Sequence, residues 1–223
     1  MAELASLSMT GSFTIGNTPA TSSGYMWFNC ETNKLEYSFV GASWSAGGAL
    51  ITARTNLGGA GTQDAGLAFG GEFPTTSTTE EYNGTSWSAG GALITARTSL
   101  SGAGTQDAGL AFGGRSLSVV SCTEEYNGTS WTVGGALITG RCLLAGTGTQ
   151  NAGLAFGGKT TGIVSCTEEY NDSSWSAGGA LITARCALAG AGTQDAGLAF
   201  GGLTPSTVGC TEEYTLGPQV CSL

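Results

Sequence analysis

Ala108-Gly109-Leu110-Ala111-Phe112-Gly113-Gly114, a short apolar run closed by two glycines, decides the fold because it returns. The same seven residues surround Phe69, Phe156 and Phe200. Gly-Ala-Leu-Ile-Thr-Ala-Arg ends at Arg54, Arg97 and Arg185, and recurs with one Ala→Gly change at Arg141. Thr-Glu-Glu-Tyr ends at Tyr82, Tyr126, Tyr170 and Tyr214, a spacing of 44 residues each time, and a Trp follows at Trp87, Trp131 and Trp175. A diverged copy opens the chain: Tyr25-Met26-Trp27-Phe28, Lys34-Leu35-Glu36-Tyr37, then Ser43-Trp44. Self-similarity at a fixed period of this length is the signature of a repeat architecture.

Within one period, Thr98 to Ala103 is expected to be an inner strand and Gly104 to Asp107 a turn. Ala108 to Phe112 is apolar on both faces, as a sheet covered on both sides requires. Thr123 to Tyr126 forms a third strand, Asn127-Gly128 a hairpin turn, and Ser130-Trp131-Thr132 the start of an outer strand. No segment sustains a helical stripe, and Gly-Ala-Leu-Ile-Thr-Ala-Arg reads as a strand end plus a connection. One period offers about six large apolar side chains, each worth about 1.5–3 kcal/mol when buried. Ordering its backbone costs about 1–2 kcal/mol per residue. A single sheet therefore cannot stand alone. The expectation is an all-β, five-bladed β-propeller of about 44 residues and four antiparallel strands per blade, spanning 20–223. Residues 1–19 form an N-terminal segment, with Ser12-Phe13-Thr14-Ile15 expected to complete the ring, because the last copy has no Trp after Tyr214.

Composition narrows function. Of 223 residues, 39 are Gly, 10% are charged, and the formal charge is −9. This balance would not neutralise phosphates, which argues against nucleic acid and anionic membrane surfaces. No apolar run reaches membrane-spanning length, and the N-terminus lacks the pattern of a secretory signal. The chain contains no His, which removes His-dependent triads and His-ligated metals.

A Gly-Gly pair closing an apolar strand, then Tyr126, Trp131 and Arg141, resembles the kelch repeat, whose units form β-propellers with one blade each. The wording Glu-Glu-Tyr-Asn-Gly-Thr-Ser-Trp is similar to Gly-rich kelch-like repeats in virion proteins of tailed bacteriophages, notably those of cyanobacteria. Gly24 to Asn29 followed by Thr32 to Tyr37 is similar to a strand-turn-strand element of phage tail fibres. The resemblance implies a virion structural or adhesion module (tail fibre, appendage or capsid decoration) on the particle exterior, in several copies. Its partners would be other virion proteins or a host-surface receptor or glycan. A carbohydrate-binding propeller is the alternative. No enzymatic activity and no cofactor are expected: the copper chemistry of kelch-fold oxidases needs His, and residues that recur in every blade do not converge as a catalytic set.

Of the seven cysteines, four stand at two repeat positions that gain or lose Cys together within a copy, the equivalents being Thr78 with Thr98 and Asn33 with Thr55. Cys122 with Cys142 and Cys166 with Cys186 are disulfide candidates, and Cys210 chooses between Cys221 and Cys30; free buried thiols are the competing reading. Asp64, Asp107 and Asp195 are read as turn residues rather than a cation ring. Glu81, Glu125, Glu169 and Glu213 are expected to pair with the structural arginines Arg54, Arg97, Arg141 and Arg185, while Trp44, Trp87, Trp131 and Trp175 are structural. The loops Glu72–Thr78, Arg115–Ser121, Lys159–Ser165 and Leu203–Gly209 vary on a constant framework. Their residues Arg115, Val119, Val120, Lys159, Ile163 and Val164 are the binding candidates, with the valines and isoleucine expected to be exposed.

Overall fold

The computed structural model describes residues 24–29, 34–39 and 44–217. The chain divides into two compact units, Met1–Ala46 and Gly47–Leu223. In the first, β1 (Gly24–Asn29) and β2 (Lys34–Phe39) form an antiparallel pair in a two-stranded sheet. The second holds four sheets in a β-propeller arrangement. They are β3 (Gly58–Gly61), β4 (Gly66–Phe69), β5 (Thr79–Tyr82) and β6 (Trp87–Ala89); β7 (Ser101–Gly104), β8 (Gly109–Phe112), β9 (Thr123–Tyr126) and β10 (Trp131–Val133); β11 (Ala145–Gly148), β12 (Gly153–Phe156), β13 (Thr167–Tyr170) and β14 (Trp175–Ala177); and β15 (Ala189–Gly192), β16 (Ala196–Phe200) and β17 (Thr211–Thr215).

The protein thus has four blades, not the five expected, and the last has three strands among the described residues. The physical reason lies in the opening copy. It carries the Tyr and Trp signatures of outer strands but no Gly-Leu-Ala-Phe-Gly-Gly, and that run supplies the second strand of every blade. Among the described residues β1 and β2 pair with each other alone. Residues 1–19 and their expected part in completing a ring lie outside the described residues; the division between units falls after Ala46.

Each blade is an antiparallel meander whose register repeats: Tyr82 faces Trp87, Tyr126 faces Trp131 and Tyr170 faces Trp175. The third and fourth strands are joined by four residues, with the Asn127 side-chain oxygen accepting from the backbone N–H of Thr129 at 3.0 Å and of Ser130 at 2.9 Å. That bond is why Asn holds the place. Gly113, at φ +63°, ends β8 so tightly that a Cβ would stand 2.6 Å from the Arg141 carbonyl oxygen.

Neighbouring blades meet by large side chains entering glycine faces. The rings of Phe69, Phe112 and Phe156 lie over Gly102, Gly146 and Gly190 of the next blade, and Leu67, Leu110 and Leu154 over Gly109, Gly153 and Gly197. Trp131 then reaches back from the second blade, 5.0 Å from Phe69 between ring centres, and donates its indole N–H to the Thr79 hydroxyl at 2.9 Å. Trp175 repeats this on Phe112 and Thr123. The core is therefore three seams between sheets rather than one central cluster. The inner strands follow one another, β3 on β7, β7 on β11 and β11 on β15. A run of backbone bonds links their leading residues: Ser99 N–H to Asn56 O, Leu143 N–H to Ser99 O, and Ala187 N–H to Leu143 O, at 2.8–2.9 Å.

Candidate functional site

Two features stand out from the repeated framework: the variable loops, and the space beside the incomplete last blade. Each loop leaves the Gly-Gly end of a second strand and is tied at its first residue. Glu72 bridges to Thr55, Arg115 to Thr98, Lys159 to Cys142 and Leu203 to Cys186. A second bridge folds the later loops over themselves, Arg115 to Val119, Lys159 to Ile163 and Leu203 to Thr207. All four loops thus start beside the axial residues Asn56, Ser99, Leu143 and Ala187, with one geometry and different side chains. The first positions read acidic, basic, basic, apolar.

Arg115 and Lys159 are exposed, as binding groups need to be. Val119, Val120, Ile163 and Val164 are half-buried instead of exposed, because the second bridge turns the returning arm of each loop onto the blade. The exposed apolar group is Leu117 at the loop tip, 98% accessible, which the sequence reading passed over. Phe73 is the corresponding exposed group of the first loop; the other three loops carry no aromatic residue.

Beneath the loops the framework is polar but closed. Arg97 is fully buried and donates to Glu124 at 2.5 Å and to the Ala111 carbonyl at 3.2 Å. Arg54 with Glu80, Arg141 with Glu168, and Arg185 with Glu212 repeat the pair. The same carboxylates accept backbone N–H groups of the connection, Ile94 at 2.6 Å and Thr95 at 3.2 Å for Glu124. Burial pulls the Arg97 guanidinium below its ordinary value against the opposing pull of Glu124. Burial alone would raise the Glu80 carboxyl, but Arg54 and the N–H groups of Ile51 and Thr52 outweigh it and hold it below the usual carboxylate value.

The arginine partners are therefore the first glutamates of Thr-Glu-Glu-Tyr, and the expected Glu81, Glu125 and Glu169 do something else. Adjacent strand residues point to opposite faces, so these three meet the next blade and accept the hydroxyl protons of Tyr126, Tyr170 and Tyr214. Burial, and then the facing glutamate, push each of these tyrosines up to about 12. The alternation of the strand was the signal that could have separated the two glutamates.

Cys122, Cys142, Cys166, Cys186 and Cys210 are free thiols, and Cys30 and Cys221 lie outside the described residues. Cys142 is buried beneath Lys159, and its burial pushes the thiol up. Among the described residues no three His, Cys, Asp or Glu side chains gather as a metal site.

The second feature is a cavity of about 530 Å³ lined by Leu154, Phe156, Thr167, Leu181, Ala199 and Tyr214, among others. Phe156 and Thr167 are the positions that receive the ring and indole N–H of a Trp at the two earlier seams. In the last copy the sequence has Gln219 at the repeat position of that Trp. Trp44, by contrast, is fully exposed.

The chain matches no family model and no curated protein.

Glu72, Arg115 and Lys159 each open a separate loop of the arrangement. What it offers is a stiff platform. Buried ion pairs hold the base of each loop, and the exposed side chains above it differ from blade to blade. The Asp64 and Asp107 side chains lie within 3.4 Å of where a Cβ of the turn glycines Gly84 and Gly128 would be, so they stand against the neighbouring hairpin turn of their own blade.

Proposed function

We propose that this protein is a non-enzymatic structural and adhesion module of a tailed-phage virion, a kelch-like propeller carried as a fibre, appendage or capsid decoration. The observation that carries the reading is the contrast between four loops tied by the same bridges and the different side chains they display. A scaffold that keeps its geometry and varies its tips suits contact with a protein or surface partner. The likeness of the repeats to those of virion proteins supplies the setting. On this reading the chain sits on the particle exterior in several copies, facing other virion proteins or a host-surface receptor or glycan. Leu117 and Arg115 are the contact residues of the second loop, and Lys159 of the third.

Particles purified from infected cells test the reading. The chain is expected in them at a fixed ratio to the major capsid protein. Recovery of the chain only in the particle-free fraction refutes it. Leu117→Asp is expected to weaken partner capture by purified particles while the melting temperature stays within a degree or two, since the side chain touches little of its own blade.

A further inference from the structure

The four blades end in two faces that are halves of the same seam. At each internal seam a donor blade offers Phe, Leu, Thr and the second Glu of its third strand. An acceptor blade meets them with two glycines, a Trp, a Tyr and a Gln. Gln106 donates to the carbonyls of Gly66 at 3.0 Å and Tyr82 at 2.7 Å, and Gln150 and Gln194 repeat this on the blades before them.

The first blade keeps its acceptor half unused. Gly59 and Gln63 are exposed, Trp87 is half-buried where Trp131 and Trp175 are buried, and a Cβ on Gly59 would meet nothing nearer than the Leu67 carbonyl at 3.5 Å. The last blade keeps its donor half unused. Phe200 is 39% accessible where Phe112 is 0%, and Thr211 is exposed where Thr79 and Thr123 are buried. Among the described residues the run of axial bonds stops in the same way, at the Ala187 carbonyl on one side and the Asn56 N–H on the other.

The fourth-strand sequence, absent from the last blade among the described residues, also exists elsewhere in the chain. Ser43 to Arg54 is identical to Ser174 to Arg185, twelve residues running from the Trp of a fourth strand to the next blade's arginine. Gly47 and Gly48 enter the first blade as Gly90 and Gly91 enter the second. A Cβ on Gly47 would lie 2.7 Å from the Tyr82 hydroxyl, against 2.8 Å for Gly90 and Tyr126. In sequence, then, a fourth-strand segment precedes the first blade, and no Ser-Trp segment of that kind follows Tyr214.

We propose that the two ends associate head to tail with a second copy of this chain. The second copy's Gly59, Gly66 and Trp87 seat on Leu198, Phe200 and Thr211, its Gln63 donates to the Gly197 and Tyr214 carbonyls, and its Tyr82 hydroxyl donates to Glu213. Its Trp44–Ala46 lies along β17 and puts the indole of Trp44 into the cavity between Phe156, Thr167 and Tyr214. Every contact has a counterpart already made within the chain, three times for the glycines, the Gln and the Tyr and twice for the Trp. Such an interface uses two different surfaces, so it builds a ring or a filament according to the rotation between copies. The inference stands independently of the virion reading.

Complementation between two end-blocked variants tests it. Gly59→Val fills the acceptor face, and Phe200→Asp puts a charge on the donor face; both positions are exposed. By light scattering the wild-type chain is expected at a multiple of 22.2 kDa, and each variant at the monomer mass. An equal mixture of the two is expected to form a heterodimer and stop there, because one good head and one good tail remain. Circular dichroism checks that both variants fold. Gln63→Ala is a milder head variant, expected to weaken association roughly tenfold through two lost hydrogen bonds. A wild-type monomer at all concentrations, as when the ends close on each other within one chain, overturns the proposal. So does association that survives either block, or a mixture that stays monomeric.

Discussion

Arg141 and Glu168 show how a buried charge can be tolerated in a protein with few charges. The guanidinium has no accessible surface, and its Nη atoms are spent on Glu168 and on the Thr139 and Ala155 carbonyls. Removing one member leaves the other charged and dry, which costs about 3–5 kcal/mol. Arg141→Met is therefore expected to lower the denaturant midpoint sharply, whereas Arg141→Met with Glu168→Leu recovers much of the loss. Urea unfolding of the single and double variants measures the difference. The tyrosines act at the other end of the pH scale. Their folded values of about 12 lie above the ordinary 10, so the neutral phenol is favoured in the folded state. That contribution is complete below pH 10 and is lost as the pH rises through 12. Stability is expected to be level from neutrality to pH 10 and to fall beyond it, with a shallower fall in Tyr126→Phe. Unfolding midpoints across that range supply the check.

At the scale of the element, the seams depend on what a strand lacks. A Cβ on Gly146 would stand 2.8 Å from Phe112 Cε2 and 3.0 Å from Ser101 Oγ, so Gly146→Ala drives two blades apart. Overpacking of this kind costs about 1–3 kcal/mol. Gly59→Ala, the same change on the same strand position of the first blade, has open space before it and is expected to be close to neutral for the isolated chain. Paired melting curves test the contrast, and equal losses would mean that β propensity rather than the seam sets the cost. Elements of this kind were legible in the sequence. The strands around Phe112, Tyr126 and Trp131 fall where hydrophobic runs and turn residues placed them. The number of blades was not, because a Tyr followed by a Trp marks outer strands alone, and the opening copy has Tyr37 and Trp44 without the run that supplies a second strand. The exposure of Val119 and Ile163 was equally hidden, since a single bridge from Arg115 or Lys159 decides which arm of the loop faces water.

For the whole molecule, stability is expected to be graded along the row of blades. In repeat proteins each unit gains most of its stability from its neighbours, and the second and third blades have a neighbour on both sides. The last has one and, among the described residues, three strands; its ion pair is longer, Arg185 to Glu212 at 3.3 Å, and Arg185 Nη1 finds no partner among those residues. Its strands are correspondingly more open, with β17 alternating exposed and half-buried where β13 is mostly buried. Local opening follows such differences, since few buried contacts mean a small free energy for exposing an amide. Hydrogen exchange in dilute solution, where any second copy is absent, is therefore expected to release the amides of β15, β16 and β17 first, then those of β3 and β4, and those of β8 and β12 last. Uniform protection across the four blades would instead make them a single cooperative unit, and the seams would then transmit stability further than nearest-neighbour contacts allow.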